Sequence, residues 1–518
     1  MVKFVLNGRP AEAPEGMTLL AAAARAGIDI PHFCYHPAFP AEGSCRMCLV
    51  EVEGQPKLEL ACSTAVQEGL KVWTETEKVA EARRSVLEFL LADHPLDCPV
   101  CDKAGECDLQ DYFRRYGLLP SAFEEAKERR AKKVPIGESL LLDRERCILC
   151  TRCVRFGRQV TRTEELGLFQ RGLKTEVGLF DDMPVAHNYS GCLAEACPVG
   201  AITDTDFRFK TRAWFLERAD SICPGCSRGC NIIIEHSSGF PRVPGSRKIF
   251  RIRARANPDV NGHWICDLGR YGYAHLDTGR QESLRTKEGL LPGAPSWEAA
   301  VRFLGEKLAG LRAEGAARRA AVAASSELSN EELYLVRRLF LQDLKVHKIF
   351  LVDPQEGETD GFLLTSERTP NRRGAEGAGL KLGLPGLDVL RGEVDLLILF
   401  GLNIFERFPG EQLRSFFDSV AAKILLTHQA PVAAWEFELI LPGAPSAEKS
   451  GSFTNVAGLV QSFAPVRPAG GQARAEWEIL LDLAKASGVN APFYSGLTGL
   501  EDIRREMGRE CPALKVTS

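Results

Sequence analysis

The chain has 518 residues, with 65 Lys and Arg against 69 Asp and Glu, a net charge of −4, 45% hydrophobic and 26% charged residues. That length is too great for one core and calls for roughly three to five domains of about 100 to 200 residues each, while the near-balanced charge gives no electrostatic case for nucleic acid or an anionic membrane. No apolar run approaches the ~20 residues of a membrane span, and the amino terminus MVKFVLNGRP lacks the apolar core of a signal peptide, so a cytoplasmic protein is expected.

Seventeen cysteines bunched at short gaps in such a chain argue for metal rather than disulfides. Fifteen of them and His94 form four sets of four, leaving Cys192 and Cys511 over. The one dense basic block, Lys127 to Lys133, reads as a solvated face or inter-domain surface.

Residues 1–76 open with the strand Lys3-Phe-Val-Leu, an Asn7-Gly8 turn, a second extended stretch and an alanine-rich helix near Thr18 to Ala26. The pattern resembles a ubiquitin-like (β-grasp) ferredoxin sheet. Cys34, Cys45, Cys48 and Cys62 follow as C-x10-C-x2-C-x13-C, with Gly43 where backbone must pass close to inorganic sulfide. Four thiolates there fit a 2Fe-2S centre, although the spacing departs from the plant-type C-x4-C-x2-C. Residues 77–117 form the next segment. A helix from about Glu77 to Ala92, started by Thr74 with Glu77 as a capping box, turns Val79, Val86, Leu87, Leu90 and Leu91 inward. It delivers His94 to Cys98, Cys101 and Cys107. Those four ligands alone suit tetrahedral zinc or a 4Fe-4S cluster equally. The other sets in the same chain favour a row of clusters, which makes a wire for electrons. A histidine in place of a thiolate removes a negative charge and raises the potential, as in Rieske centres.

In residues 138–208, Cys147, Cys150 and Cys153 make C-x2-C-x2-C, and the fourth cysteine, followed by proline, is Cys197. Gly157 stands where a two-cluster pattern would place another cysteine, so a single 4Fe-4S cluster is expected. Cys192 reads as a packed or cluster-adjacent thiol. In residues 216–271, Cys223, Cys226 and Cys230 with the late Cys266 favour another 4Fe-4S cluster over a zinc ribbon. No cysteine then occurs until Cys511. Candidate strands in residues 272–518 are Ala320 to Ala324, Lys348 to Val352, Val394 to Leu402, Lys423 to Leu426 and Phe437 to Leu441, with helices between them such as Ser329 to Leu344, capped by Ser329 and Glu332. This alternation predicts an α/β domain with a mainly parallel sheet. Neither G-x-G-x-x-G nor a P-loop is present, so no pocket for NADH or a flavin is expected.

Taken together, the four sets resemble the G-type iron-sulfur subunits of bacterial NADH-quinone oxidoreductase, the family of the 75-kDa subunit of mitochondrial complex I. The H-x3-C-x2-C-x5-C and C-x10-C-x2-C-x13-C motifs carry the likeness. The same front end occurs in NAD-linked hydrogenases and some formate dehydrogenases. Beyond Cys266 the chain looks like a shortened molybdopterin-oxidoreductase α/β domain, on the strength of Cys266-Asp-Leu-Gly-Arg270, Asn371-Arg-Arg-Gly374 and Glu448-Lys-Ser-Gly-Ser-Phe-Thr-Asn455 with Gly458 and Gln461. It lacks a cysteine for molybdenum and ends short of that family's length.

The fold class so implied is multidomain α+β and α/β. The resemblance further implies one 2Fe-2S and three 4Fe-4S clusters, no molybdopterin, and no catalytic site on this chain. Electrons would arrive from an NADH/FMN-binding flavoprotein subunit, with a thioredoxin-like 2Fe-2S subunit beside it. They would leave toward peripheral-arm subunits of complex I or, alternatively, subunits of a hydrogenase or formate dehydrogenase. The membrane would be met only through the complex, on the cytoplasmic face of the inner membrane. The carboxyl-terminal domain is expected to be a structural remnant, and its cluster to lie off the main path. A catalytic molybdenum enzyme is a weaker alternative, and an iron-only hydrogenase would need a cysteine-rich carboxyl half.

Overall fold

The computed structural model describes the whole chain except residues 118, 122, 238–247, 292–294, 314–315, 381–382, 384–386, 409 and 517–518. It divides into two units, Met1–Leu216 and Glu217–Ser518.

The first unit begins with a five-stranded sheet of β1 (Val2–Leu6), β2 (Arg9–Ala13), β3 (Leu49–Val52), β4 (Glu59–Leu60) and β5 (Lys71–Trp73), in the order β2-β1-β5-β3-β4. Asn7 and Gly8, with φ of 50° and 77°, make the tight β1–β2 hairpin that the Asn-Gly pair predicts. Thr18 caps the helix Leu19–Arg25 through its hydroxyl, which accepts from Ala21 N at 3.3 Å. Leu19, Leu20, Ala22 and Ala23 of that helix share one core with Phe4, Leu6, Val50, Val52 and Val72, giving the β-grasp arrangement.

The long helix runs Glu77–Asp93, but its cap is Thr76, not Thr74: the Thr76 hydroxyl accepts from Val79 N at 3.3 Å. Thr74 is instead held by Asn7, which accepts from its amide at 2.8 Å and donates to its hydroxyl at 2.9 Å. Val79 and Leu87 are buried as expected, whereas Val86, Leu90 and Leu91 are only half-buried. Arg83 is fully buried on the same helix and donates to Tyr116 Oη at 2.8 Å and Leu49 O at 3.1 Å.

The rest of this unit holds β6 (Val134–Pro135), β7 (Leu140–Leu142), the hairpin β8 (Leu166–Phe169) and β9 (Glu176–Leu179), and β10 (Ile202–Asp204), with sheet order β10-β7-β6. The basic block is not merely a solvated face. Lys127 Nζ donates to Leu91 O and Ala92 O, at 2.5 and 3.0 Å, capping the long helix where its dipole is negative. Lys132 bridges Asp97 and Glu145, at 3.0 and 2.8 Å.

In the second unit, β11 (Leu216–Ile222), β12 (Asn231–Ser237) and β13 (Ile249–Ala254) form a small sheet in that order. A six-stranded sheet follows, made of β14 (Arg285–Thr286), β15 (Ala320–Ala324), β16 (Lys348–Leu351), β17 (Leu396–Phe400), β18 (Ala422–Thr427) and β19 (Leu439–Pro442), in the order β14-β19-β18-β17-β15-β16. All its pairings are parallel save β14 on β19. Both faces are covered, which is why its strands read as unbroken apolar runs. Ala320, Val322, Ile398 and Ile424 enter one core, and Ala321, Ala323, Leu397 and Leu425 the other. The expected capping box is present, with Ser329 N donating to Glu332 Oε2 at 2.8 Å and Glu332 N to Ser329 Oγ at 3.2 Å. The helix is α over Asn330–Val336 and continues with wider π turns over Arg337–Asp343. A last hairpin, β20 (Gly451–Thr454) and β21 (Val460–Phe463), carries most of the EKSGSFTN stretch and Gln461.

Candidate metal centres

Cys34, Cys45, Cys48 and Cys62 lie on the loops and strand ends of the β-grasp sheet. Phe33 N and Cys34 N both donate to Cys45 Sγ at 3.4 Å. Hydrogen bonds within the pairs hold Cys34 and Cys62 below the ordinary thiol value and Cys45 and Cys48 above it. Backbone amides of Gly43, Ser44 and Met47 donate to Cys62, Cys34 and Cys45 respectively. Gly43, at φ 67°, is thus where the backbone passes the sulfurs.

His94 forms the carboxyl cap of the long helix, and its Nδ1 is buried without a hydrogen-bond partner. Burial pushes its pKa down to about 4, which keeps the imidazole neutral and able to offer a lone pair. Burial likewise raises Cys101, and raises Cys107 to about 11. The helix Asp108–Tyr116 starts immediately after Cys107, and the amides of Leu109 and Gln110 donate to its sulfur. A metal is what makes thiolates of such desolvated thiols.

Cys147, Cys150 and Cys153 are raised by burial, the first two to about 11 and about 12, and each feels the charge of Cys197. Cys192 is fully buried on the helix Gly191–Ala196. In the second unit Cys223, Cys226, Cys230 and Cys266 are all buried, and Cys230 feels the charge of the other three. A Cβ on Gly269 would sit 2.8 Å from Cys223 Sγ, so only glycine fits that wall of the site.

Within Met1–Leu216 the loops that carry the first three candidate sets are tied together. The Cys197-Pro-Val-Gly200 turn presses on the histidine set so closely that a Cβ on Gly200 would stand 2.3 Å from Cys101 Sγ. Arg146, next to Cys147, donates to Asp97 at 2.7 and 3.2 Å, and its charge reaches Cys101. Arg152 donates to Tyr35 O at 2.6 Å and Ala196 O at 3.2 Å. Arg155 donates to the carbonyls of Cys34, Pro40 and Cys150. These three arginines escape a search for metal ligands. Their one sequence signal is that they flank or interleave the cysteines of C-x2-C-x2-C.

Among the described residues no group of three or more His, Cys, Asp or Glu is arranged to hold a single metal ion. Buried thiol donors, amides aimed at sulfur, glycine walls and an orphaned imidazole nitrogen together fit iron-sulfur clusters.

A cavity of about 730 Å³ in the second unit opens at the carboxyl ends of the parallel strands, where the connections leaving β15 and β17 run in opposite directions, the usual ligand position of such sheets. Cys223, Pro224 and Gly225 line it together with Glu327, Asn403, Glu406, His428 and Lys449. The residues present do not fit a phosphate-bearing pterin. Lys449 is held by Glu332 and Glu476 at 2.9 and 2.6 Å, and Arg368 by the carbonyls of Thr365 and Glu358. Burial lowers both His428 and His275, leaving them neutral, while Glu327 and Glu406 face the space.

A β-grasp domain, three further cysteine-bearing segments and a parallel α/β domain define a multidomain iron-sulfur protein. Family models describe the same parts: a 2Fe-2S iron-sulfur cluster binding domain at residues 1–77, an NADH-ubiquinone oxidoreductase-G iron-sulfur binding region at 83–121, the ferredoxin-like domain of NADH-quinone oxidoreductase subunit 3 at 137–203, and molybdopterin oxidoreductase at 358–486. The G-type subunit of NADH-quinone oxidoreductase from Streptomyces coelicolor is 34% identical over 464 residues, which cover 86% of this chain and 53% of that protein. The mitochondrial NADH dehydrogenase [ubiquinone] iron-sulfur protein 1 of Solanum tuberosum is 28% identical over 615 residues, covering 96% and 81%. A chain of a crystal structure of NAD+-reducing [NiFe]-hydrogenase in the H2-reduced state is 34% identical, with 40% of this chain and 90% of that one covered and a TM-score of 0.37. The chain belongs to the G-type, or 75-kDa, iron-sulfur subunit family of NADH-quinone oxidoreductase. It spans 53%, 40% and 48% of the first three curated relatives. No helix among the described residues is long and apolar enough to cross a membrane.

Proposed function

We propose that this chain is the electron-relay subunit of an NADH-quinone oxidoreductase. On this reading Cys34, Cys45, Cys48 and Cys62 hold a 2Fe-2S cluster, and three 4Fe-4S clusters are held by His94, Cys98, Cys101 and Cys107, by Cys147, Cys150, Cys153 and Cys197, and by Cys223, Cys226, Cys230 and Cys266. The observation that carries it is the knitting of three ligand loops by Arg146, Arg152, Arg155 and the Gly200 contact. Single-ion scaffolds have no need of such proximity, whereas electron hopping does.

Bound clusters supply one-electron acceptors and donors. The residues do the rest. Buried cysteines keep water from the sulfurs, and backbone amides donated to sulfur favour the reduced, more negative state. Neutral His94 removes one charge from its site and raises its potential relative to four thiolates. The arginines hold the loops at fixed separation and place positive charge between them.

NADH oxidation belongs, in this proposal, to a flavoprotein partner, with a thioredoxin-like 2Fe-2S subunit beside it and peripheral-arm subunits taking the electrons onward. The complex would lie on the cytoplasmic face of the membrane. The carboxyl-terminal domain serves as a scaffold without a pterin, in keeping with a cavity whose Lys449 and Arg368 are already held by the chain's own groups. The test is reduction of the purified chain, followed by visible and paramagnetic resonance spectra. Dithionite should reduce it and NADH should not, until the flavoprotein partner is added. NADH-dye reductase turnover by the chain alone would contradict the proposal, and stoichiometric molybdenum or tungsten in the intact complex would overturn the scaffold role.

A further inference from the structure

The EKSGSFTN hairpin and Gln461 mark the molybdopterin-type domain, yet the electron-relay reading gives them no task. Gln461 and Val456, in the hairpin's turn, send their hydrogen bonds to the loop of the fourth cysteine set. Gln461 is buried on β21, and its amide reaches both neighbours of Cys230: Nε2 donates to Gly229 O at 2.9 Å, and Oε1 accepts from Asn231 Nδ2 at 2.6 Å. Only this orientation of the amide satisfies both partners, since a carbonyl cannot donate. Gly229 has φ 63°, and a Cβ there would stand 2.8 Å from Gln461 Nε2 and 3.1 Å from Asn455 Cβ. The turn therefore leans directly on the hairpin. One residue further along, Val456 N donates to Ser227 O at 2.7 Å, gripping the same turn before the cysteine.

The hairpin is itself fixed from behind. Thr454 N donates to Asn371 Oδ1 at 2.7 Å, and Ser452 N to Glu331 Oε2 at 2.9 Å. Asn330 donates to Ser452 Oγ at 3.0 Å. A polar network buried this fully holds one geometry, because each member lost leaves another unsatisfied away from water.

We infer that Gln461 is the positioning residue for Cys230, clamping the carbonyl before it and the side chain after it so that the thiol stays aimed into its set. The inference rests on the reading of Cys223, Cys226, Cys230 and Cys266 as cluster ligands. It explains why the pterin-type hairpin is retained where the cavity does not suit a pterin: the hairpin is the back wall of the cluster loop.

The test uses the full chain, purified anaerobically, with iron counted and each cluster titrated by paramagnetic resonance. Gln461→Met keeps the volume and removes both hydrogen bonds. It should lose the fourth signal and about four of about fourteen irons, with the other three signals unchanged. Leu459→Ala, an exposed change on the same hairpin, should match wild type. Gln461→Glu keeps the acceptor for Asn231 but sets a carboxylate against Gly229 O, and should lower the midpoint potential of the fourth cluster. If Gln461→Met does not fold, Gln461→Glu decides. An unshifted potential there, or a full iron count with a wild-type titration in Gln461→Met, overturns the inference. A wild-type chain with only about ten irons would instead remove the cluster reading beneath it.

Discussion

Gly200→Ala is the sharpest single perturbation of the proposed relay. The new methyl would stand 2.3 Å from Cys101 Sγ, where ordinary contact begins at 3.4 Å, so one partner must retreat by about 1.1 Å. The backbone at Gly200 is poorly placed to move. Asp143 N donates to Ala201 O at 2.7 Å, and β10 pairs with β7 from Ile202 onward. A free Cys101 side chain could rotate away at little cost. A ligating one cannot, because metal–ligand distances tolerate only about 0.2 Å. The overpacking cost of about 1 to 3 kcal/mol therefore falls on the cluster-bearing state, a factor of roughly 5 to 150 in retention. The expected result is selective: loss of the histidine-ligated signal and of about four irons, with the 2Fe-2S signal intact and the melting of the metal-free chain hardly changed. A variant with its full iron and an unaltered spectrum would refute both the ligand role of Cys101 and the closeness of the two loops.

His94→Cys should keep a 4Fe-4S centre with a lower midpoint potential, from the added thiolate charge, while His94→Ala should lose it; wild-type redox titrations in both variants would show that the imidazole is not a ligand. Arg155→Ala strips charged donors from the carbonyls of Cys34, Pro40 and Cys150, and should lower stability by about 2 to 4 kcal/mol in denaturant unfolding. Arg155→Lys should not restore it, as one ammonium cannot span those acceptors. An unchanged midpoint in Arg155→Ala would rule out the clamp. Burial raises Glu327 to about 7 from 4.5, so the folded state keeps a proton that the unfolded state releases, and stability falls as pH rises through that window. Glu327→Gln should accordingly stabilise the chain at pH 8 by up to roughly 3 kcal/mol and give no gain at pH 4. Equal effects at both pH values would mean that the carboxyl is not shifted.

The four candidate ligand sets were legible because their residues bunch along the chain, as the proposed clusters would require: three of the four in each set fall within fifteen residues or fewer of one another. The parallel sheet was legible for a similar reason, since strands buried on both faces read as short apolar runs. What escaped was set by partners far along the chain. Only Thr74 has a glutamate three residues on, as the capping-box pattern asks, yet Asn7, 67 residues away, holds its amide and hydroxyl and leaves the cap to Thr76. Arg152 and Arg155 look like ordinary charged residues, yet their acceptors lie 117 and 121 residues away. Lys127 reads as part of a solvated run until the helix end 36 residues earlier is placed beside it. Gln461 stood within a recognised motif, but its tie to Gly229 spans 232 residues, and no local periodicity encodes that.

The central claim is that the chain holds a row of clusters rather than isolated ions, and metal analysis of anaerobically purified protein tests it most directly. Iron, inorganic sulfide and zinc would be counted on one brown preparation, with a paramagnetic resonance titration on the same sample. A row of one 2Fe-2S and three 4Fe-4S clusters predicts about fourteen irons, matching sulfide, and negligible zinc. About two to six irons with stoichiometric zinc would contradict it.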